Sequence, residues 1–318
     1  MKKDLSEVIV SLEELTKVIG ENIGNLFKKL YEETKQKEYL EIAKKYFQTQ
    51  KRTKAYEKYL DKDLLKLVDA LEKNEQDIPS YLKEFSSIFK RIKIIEKELN
   101  SQIRNSILFL VVLVALGYVM TNKFASISSQ MLSSLNMVNV SNITASLASA
   151  YKIVAPSILS FYILFFVIFR NINPIFRKIK MYLNSIKILL ILKIGLSSGL
   201  SPKEIAKLIE MSCFILIKEK NLDTRKIIIN IKKYLEEIER ISILLALEGG
   251  VGKVKEVLEF LLEKKIKELE AKKETFKNQI GFIFKVGQII LILFIIASYL
   301  SFMYLSIKVN STIMNMVK

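Results

Sequence analysis

Two long stretches of this chain follow one plan. In each, roughly a hundred charged, helix-patterned residues lead into an apolar run, first at residues 106–120 and again at residues 286–306. With the second stretch shifted by 176 positions (from Ala70 to Ala246), details recur. Ala70-Leu71-Glu72 falls on Ala246-Leu247-Glu248, Ile78 on Val254, Leu82 on Leu258, and Lys97-Glu98 on Lys273-Glu274. A duplicated unit of soluble block followed by span argues for a scaffold with two similar faces, and against an enzyme.

A helix needs about 20 mostly apolar residues to cross a bilayer. Residues 106–120, extendable to Phe124, approach that length, as do residues 153–169, with Pro156 near their start. Residues 286–306 form the longest and cleanest candidate. Their dozen or so strongly apolar side chains, at roughly −0.3 to −0.6 kcal/mol each, favour insertion by a few kcal/mol. For the two shorter segments, a buried hairpin of core helices is the competing reading. Residues 188–192 are too short to span, and Lys187 and Lys193 bracket them, so they belong to a soluble core.

Charge sets the expected orientation. Residues 1–106 carry 22 Lys and Arg against 19 Asp and Glu, and residues 170–289 carry 24 against 14. Residues 121–154 hold two Lys and no acid, and Lys308 and Lys318 alone charge the tail. Basic residues stay on the cytoplasmic side. The rule places the N-terminus and residues 171–284 in the cytoplasm, and the C-terminus outside. Arg170, Arg177, Lys178 and Lys180 read as topology anchors. The first residues, with early acids and no apolar core, do not read as a signal peptide.

Composition also excludes chemistry. The chain has 318 residues, a net charge of +17, no His and one Cys. Lack of His removes the commonest general base and transition-metal ligand. Cys213, in an apolar run, reads as a buried structural thiol and leaves no partner for an intrachain disulfide. The reading is no enzyme and no cofactor. Glu248-Gly249-Gly250-Val251-Gly252-Lys253 superficially evokes a phosphate loop. However, Val254 stands where a hydroxyl must reach magnesium, no strand precedes it, and no glycine lies five residues before Gly252. A helix ending after Leu247 and another beginning near Lys253 fits better. The glycine pairs Gly20/Gly24 and Gly195/Gly199 have polar flanks, so close packing or a helix end is preferred to a membrane dimer motif. The basic clusters at Lys232-Lys233, Lys264-Lys265-Lys267 and Lys272-Lys273 lie near acids on the same helix. They read as a solvated, ion-paired face, with no nucleic acid implied.

Both charged blocks read as helical. Apolar residues return every three to four positions, as at Leu64, Leu65, Val68 and Leu71, and at Ile228, Ile231, Leu235 and Ile238. Ser201-Pro202-Lys203-Glu204 starts a helix, with serine at the N-cap and proline at the first helical position. Asp77-Ile78-Pro79 opens another. The expected fold is all-α: two related cytoplasmic helical-bundle domains plus three transmembrane helices. Its parts are a first cytoplasmic domain (1–104), a span (105–124), an external loop (125–152), a second span (153–170), a second cytoplasmic domain (171–284), a third span (285–307) and an external tail (308–318).

That order of parts resembles the type II secretion system F domain family, the inner-membrane platform proteins of type II secretion and type IV pilus machines. The resemblance covers nearly the whole chain. Residues 196–205 (LSSGLSPKEI), with Gly199 and Pro202, are similar to the family's small-residue turn before the helix that opens each domain. Residues 247–254 (LEGGVGKV), with Glu248, Gly249, Gly252 and Lys253, are similar to its acidic, glycine-containing turn. The family has glycine before glutamate there, and here the order is reversed. In the first copy the matching turn, with Glu72, Glu75 and Asp77, has no glycine. The resemblance implies a non-catalytic inner-membrane platform protein and, as partners, a hexameric assembly ATPase, pilin or pseudopilin subunits, other inner-membrane machine components and the lipid bilayer, as well as a small homo-oligomer. Those six turn residues would be its partner contacts. A membrane-anchored helical signalling or adaptor protein would also have charged helices and few spans, but does not predict the duplication.

Overall fold

A computed structural model describes residues 5–74, 77–134, 143–168, 173–213, 215, 217 and 222–317. Glu75 and Arg170 lie outside these residues. Every element among the described residues is helical. The helices are α1 (Leu5–Ile19), α2 (Ile23–Thr34), α3 (Lys37–Thr49), α4 (Arg52–Tyr56), α5 (Lys62–Lys73), α6 (Ile78–Ser134), α7 (Ile143–Ile163), α8 (Pro174–Ser197), α9 (Pro202–Cys213), α10 (Thr224–Asn230), α11 (Glu237–Glu248) and α12 (Val251–Val317). A π-helical turn, Leu164–Ile168, continues α7.

The chain divides into two compact units. The first takes Met1–Ile95 and Ile179–Ala271, and the second Glu96–Lys178 and Lys272–Lys318. The two repeated charged stretches thus contribute to one unit. The duplication is visible in the order of elements. Shifted by 176, α1 falls on residues 181–195, inside α8, and α5 falls on residues 238–249, against Glu237–Glu248 observed for α11.

Within the first unit, α8 supplies the centre. Its run Ile188, Leu189, Leu190, Ile191 and Leu192 is buried on every side. A helix that is apolar all round has no solvated face to offer, so it becomes the core around which amphipathic helices gather. The buried face of α9, with Ile205, Ala206 and Ile209, meets α8 at Gly195, and the buried face of α5, with Leu64, Leu67, Val68 and Leu71, belongs to a helix that packs on α9. Among α1–α4, Phe27 meets Tyr39 and Tyr56 with ring centroids 6.2 Å apart in each pair. The glycine pairs divide their work. Gly20 (φ 71°) and Gly199 (φ 68°) follow helix ends. Gly24 and Gly195 sit where a Cβ would stand 2.8 Å from Phe47 and 2.6 Å from Ile205.

In the second unit, three helices are long and apolar enough to cross a membrane: α6, α7 with its π-turn, and α12. Leu108, Leu116, Leu293 and Leu300 are exposed on them. An outward apolar surface of that extent calls for a lipid or protein cover. The predicted external loop is helical over residues 125–134 and 143–152. No Gly or Pro interrupts residues 118–134, and hydroxyls return to carbonyls one turn back, Thr121 to Gly117 at 2.7 Å and Ser129 to Ala125 at 2.9 Å. Such back-bonding satisfies the hydroxyls without breaking the helix. Phe124 stacks on Phe302 at 5.4 Å, and the Thr144 and Ser301 hydroxyls pair at 3.0 Å.

Candidate functional site

The first predicted turn closes α8 and opens α9. Leu200 N–H donates to the Gly195 carbonyl at 2.9 Å, and Gly199 N–H to that of Leu196 at 3.4 Å. This pair of bonds is a Schellman motif, with Gly199 in the left-handed conformation that a side chain would strain. Ser201 then caps α9. Its amide donates to Glu204 at 3.0 Å, its hydroxyl bonds the same carboxylate at 2.8 Å, and Pro202 takes the first helical position. Glu204 also accepts from the Asn74 amide at 3.0 Å, which ties the turn to the end of α5. The Asn74 hydrogen bond, followed by those of Ser201, holds the Glu204 carboxyl below its ordinary value.

The second predicted turn joins α11 to α12. The α12 helix begins at Val251, two residues before Lys253, because Gly250 (φ 90°) alone makes the reversal and Val254 N–H already donates to the Gly250 carbonyl at 3.2 Å. Glu248, Gly249, Gly252 and Lys253 are all exposed. A Cβ on Gly249 would meet the Lys253 side chain at 2.3 Å, whereas one on Gly252 would meet open space. Glu248 pairs with Arg225, at the start of α10, at 3.3 Å. The six residues therefore form two groups, one against α5 and the other beside α10.

In the first copy the counterpart of Glu248 makes a different, more buried contact. Glu72, the counterpart of Glu248, accepts from the Arg52 amide at 2.6 Å and the Thr53 hydroxyl at 2.6 Å, so it caps α4. In the second copy Asp223 caps α10 itself, bonding Lys226 N–H at 2.7 Å. Glu248 is thereby left at the surface.

Several charged groups of the first unit gave no sequence signal. Glu13, fully buried, receives Arg52 Nε at 2.9 Å and the Tyr56 hydroxyl. Burial pushes the Glu13 carboxyl up, against the pull of Arg52 and Tyr56. Lys193 of α8 reaches Glu84 of α6 at 2.8 Å and Glu259 of α12 at 3.4 Å. Lys265 of α12 meets Glu239 at 2.8 Å and Glu236 at 3.0 Å, at the start of α11. Burial alone would lower the Lys265 pKa, but the hydrogen bonds of Glu239 and Glu236 outweigh it and raise it. The predicted solvated face thus splits. Lys264 stays in solvent while Lys265 is only 3% exposed. A lysine next to acids on one helix looks the same in sequence whether the turn faces water or a neighbour.

These groups tie helices of the first unit together. Among the described residues no three His, Cys, Asp or Glu gather as metal ligands. The Cys213 thiol is pushed up to about 12 by burial, which keeps it protonated near neutral pH. Comparison with family models, curated proteins and solved structures finds no match.

Proposed function

We propose that this chain is an integral-membrane platform protein for assembly of a type IV pilus-like filament or a type II secretion pseudopilus. It couples a hexameric cytoplasmic assembly ATPase to the insertion of pilin or pseudopilin subunits, and itself performs no catalysis. One observation carries the reading. The α6 and α12 helices, 57 and 67 residues long, each run unbroken from a charged, repeated stretch into an apolar stretch fit to cross a membrane. A platform that passes ATPase-driven movement to subunits held in the bilayer needs continuous struts of this kind, one for each contact with the motor. The helical first unit is the cytoplasmic part in this reading, and its turns at Gly199-Pro202, where Gly199 is exposed, and at Glu248-Lys253 are the ATPase contacts.

Deleting the gene is expected to abolish surface filaments or secretion while pilins still accumulate in the membrane. Normal filaments and secretion in the deletion strain would refute the assembly role. Charge reversal at Glu248 or Lys253 is expected to weaken copurification of the ATPase. Unchanged recovery with both variants would remove that turn as a contact.

A further inference from the structure

Tyr162 of α7 places its hydroxyl against the backbone of α12. It donates to the Ile283 carbonyl at 2.5 Å and accepts from the Gly287 amide at 3.1 Å. Ile283 and Gly287 stand four residues apart, so these two groups are the acceptor and the donor of one rung of the helical ladder. The approach depends on glycine, since a Cβ at position 287 would lie 2.6 Å from the tyrosine ring. The ring is held in register by Phe284, stacked at 4.7 Å, which also stacks on Phe166 in the π-turn at 4.7 Å.

A rung within an apolar helix ordinarily cannot open, because each freed backbone group would be left without a partner in hydrocarbon. Here the hydroxyl offers a donor to the carbonyl and an acceptor to the amide. Insertion of a side chain into the ladder is also a known cause of helix bending. We propose that residues 283–287 are a built hinge in α12, at its entry into the apolar stretch, with the Tyr162 hydroxyl as the relay that keeps both ends of the opened rung bonded. An open groove of about 450 Å³ flanks the site, lined by Ile153, Ser157, Phe161, Tyr162, Gly287 and Ile290 among others.

The same helix supplies a contrast. Tyr151 of α7 docks at Gly117 of α6, where a Cβ would fall 2.0 Å from its hydroxyl. That hydroxyl donates to the Leu113 carbonyl at 2.9 Å and to the Val114 carbonyl at 3.4 Å. Both bonds fall on carbonyls. Opening the Leu113–Gly117 rung would leave the Gly117 amide unbonded by this tyrosine, so α6 is pinned at this point and α12 is hinged. The hinge does not depend on what the protein assembles.

The full chain has ten glycines, so protein labelled with [¹⁵N]glycine in lipid nanodiscs gives a small set of amide signals. Relaxation dispersion should show microsecond-to-millisecond exchange at Gly287 several-fold above that at Gly281 of the same helix. Tyr162→Phe, which keeps the ring and removes the relay, should bring Gly287 down to the level of Gly281. Equal dispersion at the two glycines of the wild-type protein overturns the hinge, and this comparison needs no variant to fold. Dispersion at Gly287 that survives Tyr162→Phe overturns the role of the hydroxyl.

Discussion

Lys193 and Lys265 are both buried lysines, Lys193 joining α8 to α6 and α12 and Lys265 joining α12 to α11, yet their removal should differ in cost. Lys265→Ala would leave Glu239, 1% exposed, as an uncompensated buried charge. The expected loss of stability is about 3–5 kcal/mol. Lys193→Ala leaves Glu84 and Glu259, 32% and 53% exposed, which water can reach. A loss nearer 1 kcal/mol is expected there. Equilibrium denaturation of the detergent-solubilised protein compares the two, and equal losses would contradict this ranking. Acid should weaken the fold through carboxylates held below their ordinary value of 4.5. Glu236 is lowered chiefly by Lys265, and Glu204 by Asn74 and Ser201. Such groups bind protons more weakly in the native state than in the unfolded chain. Their contribution is present above about 4.5 and lost as the pH falls through their lowered native values. Glu204→Gln should flatten the acid limb of a stability–pH profile. The pairings of Lys193, Lys265 and Asn74 were not legible in sequence, because the partners lie up to 130 positions apart and a local charge pattern does not report burial.

The helices themselves were more legible than their ends. Ser201-Pro202 starts α9 as its residue types require, and Gly199 ends the preceding turn in the left-handed conformation. Gly199→Ala should therefore cost about 1–2 kcal/mol. Gly252, inside the first turn of α12 with open space around its Cα, should behave in the opposite way. Gly252→Ala is expected to raise stability by roughly 0.5–1 kcal/mol. Thermal unfolding of the two variants should therefore move in opposite directions from the wild type. If Gly252 also serves partner binding, its alanine variant would gain stability while losing ATPase recovery. The stretch around residues 125–152 read as a loop because it is nearly uncharged and rich in Ser and Asn. Serine hydroxyls there bond back to their own helix at exposed positions, so their polarity does not prevent part of the stretch from being helix.

At the scale of the whole molecule, orientation in the membrane is the outstanding prediction. Single cysteines at Ser133 and Met314 should react with an impermeant maleimide in intact cells, while those at Lys54 and Lys232 should not. Buried Cys213, its thiol pushed up to about 12, should stay silent as the background. Labelling at Lys232 would reverse the assigned topology. The helical class, the three helices fit to cross a membrane and the repeated plan of charged stretch and apolar run all follow from the sequence alone. Periodicity, segment length and the scarcity of proline act locally, and local signals are what a sequence displays. Only the tertiary structure decided that both repeated stretches contribute to one compact unit, that Lys193 and Lys265 are buried while Lys264 is not, and that two tyrosines of α7 sit on the backbones of α6 and α12. Each of these depends on which distant surface meets which, and that choice is made by packing and by the pairing of buried polar groups across the whole chain.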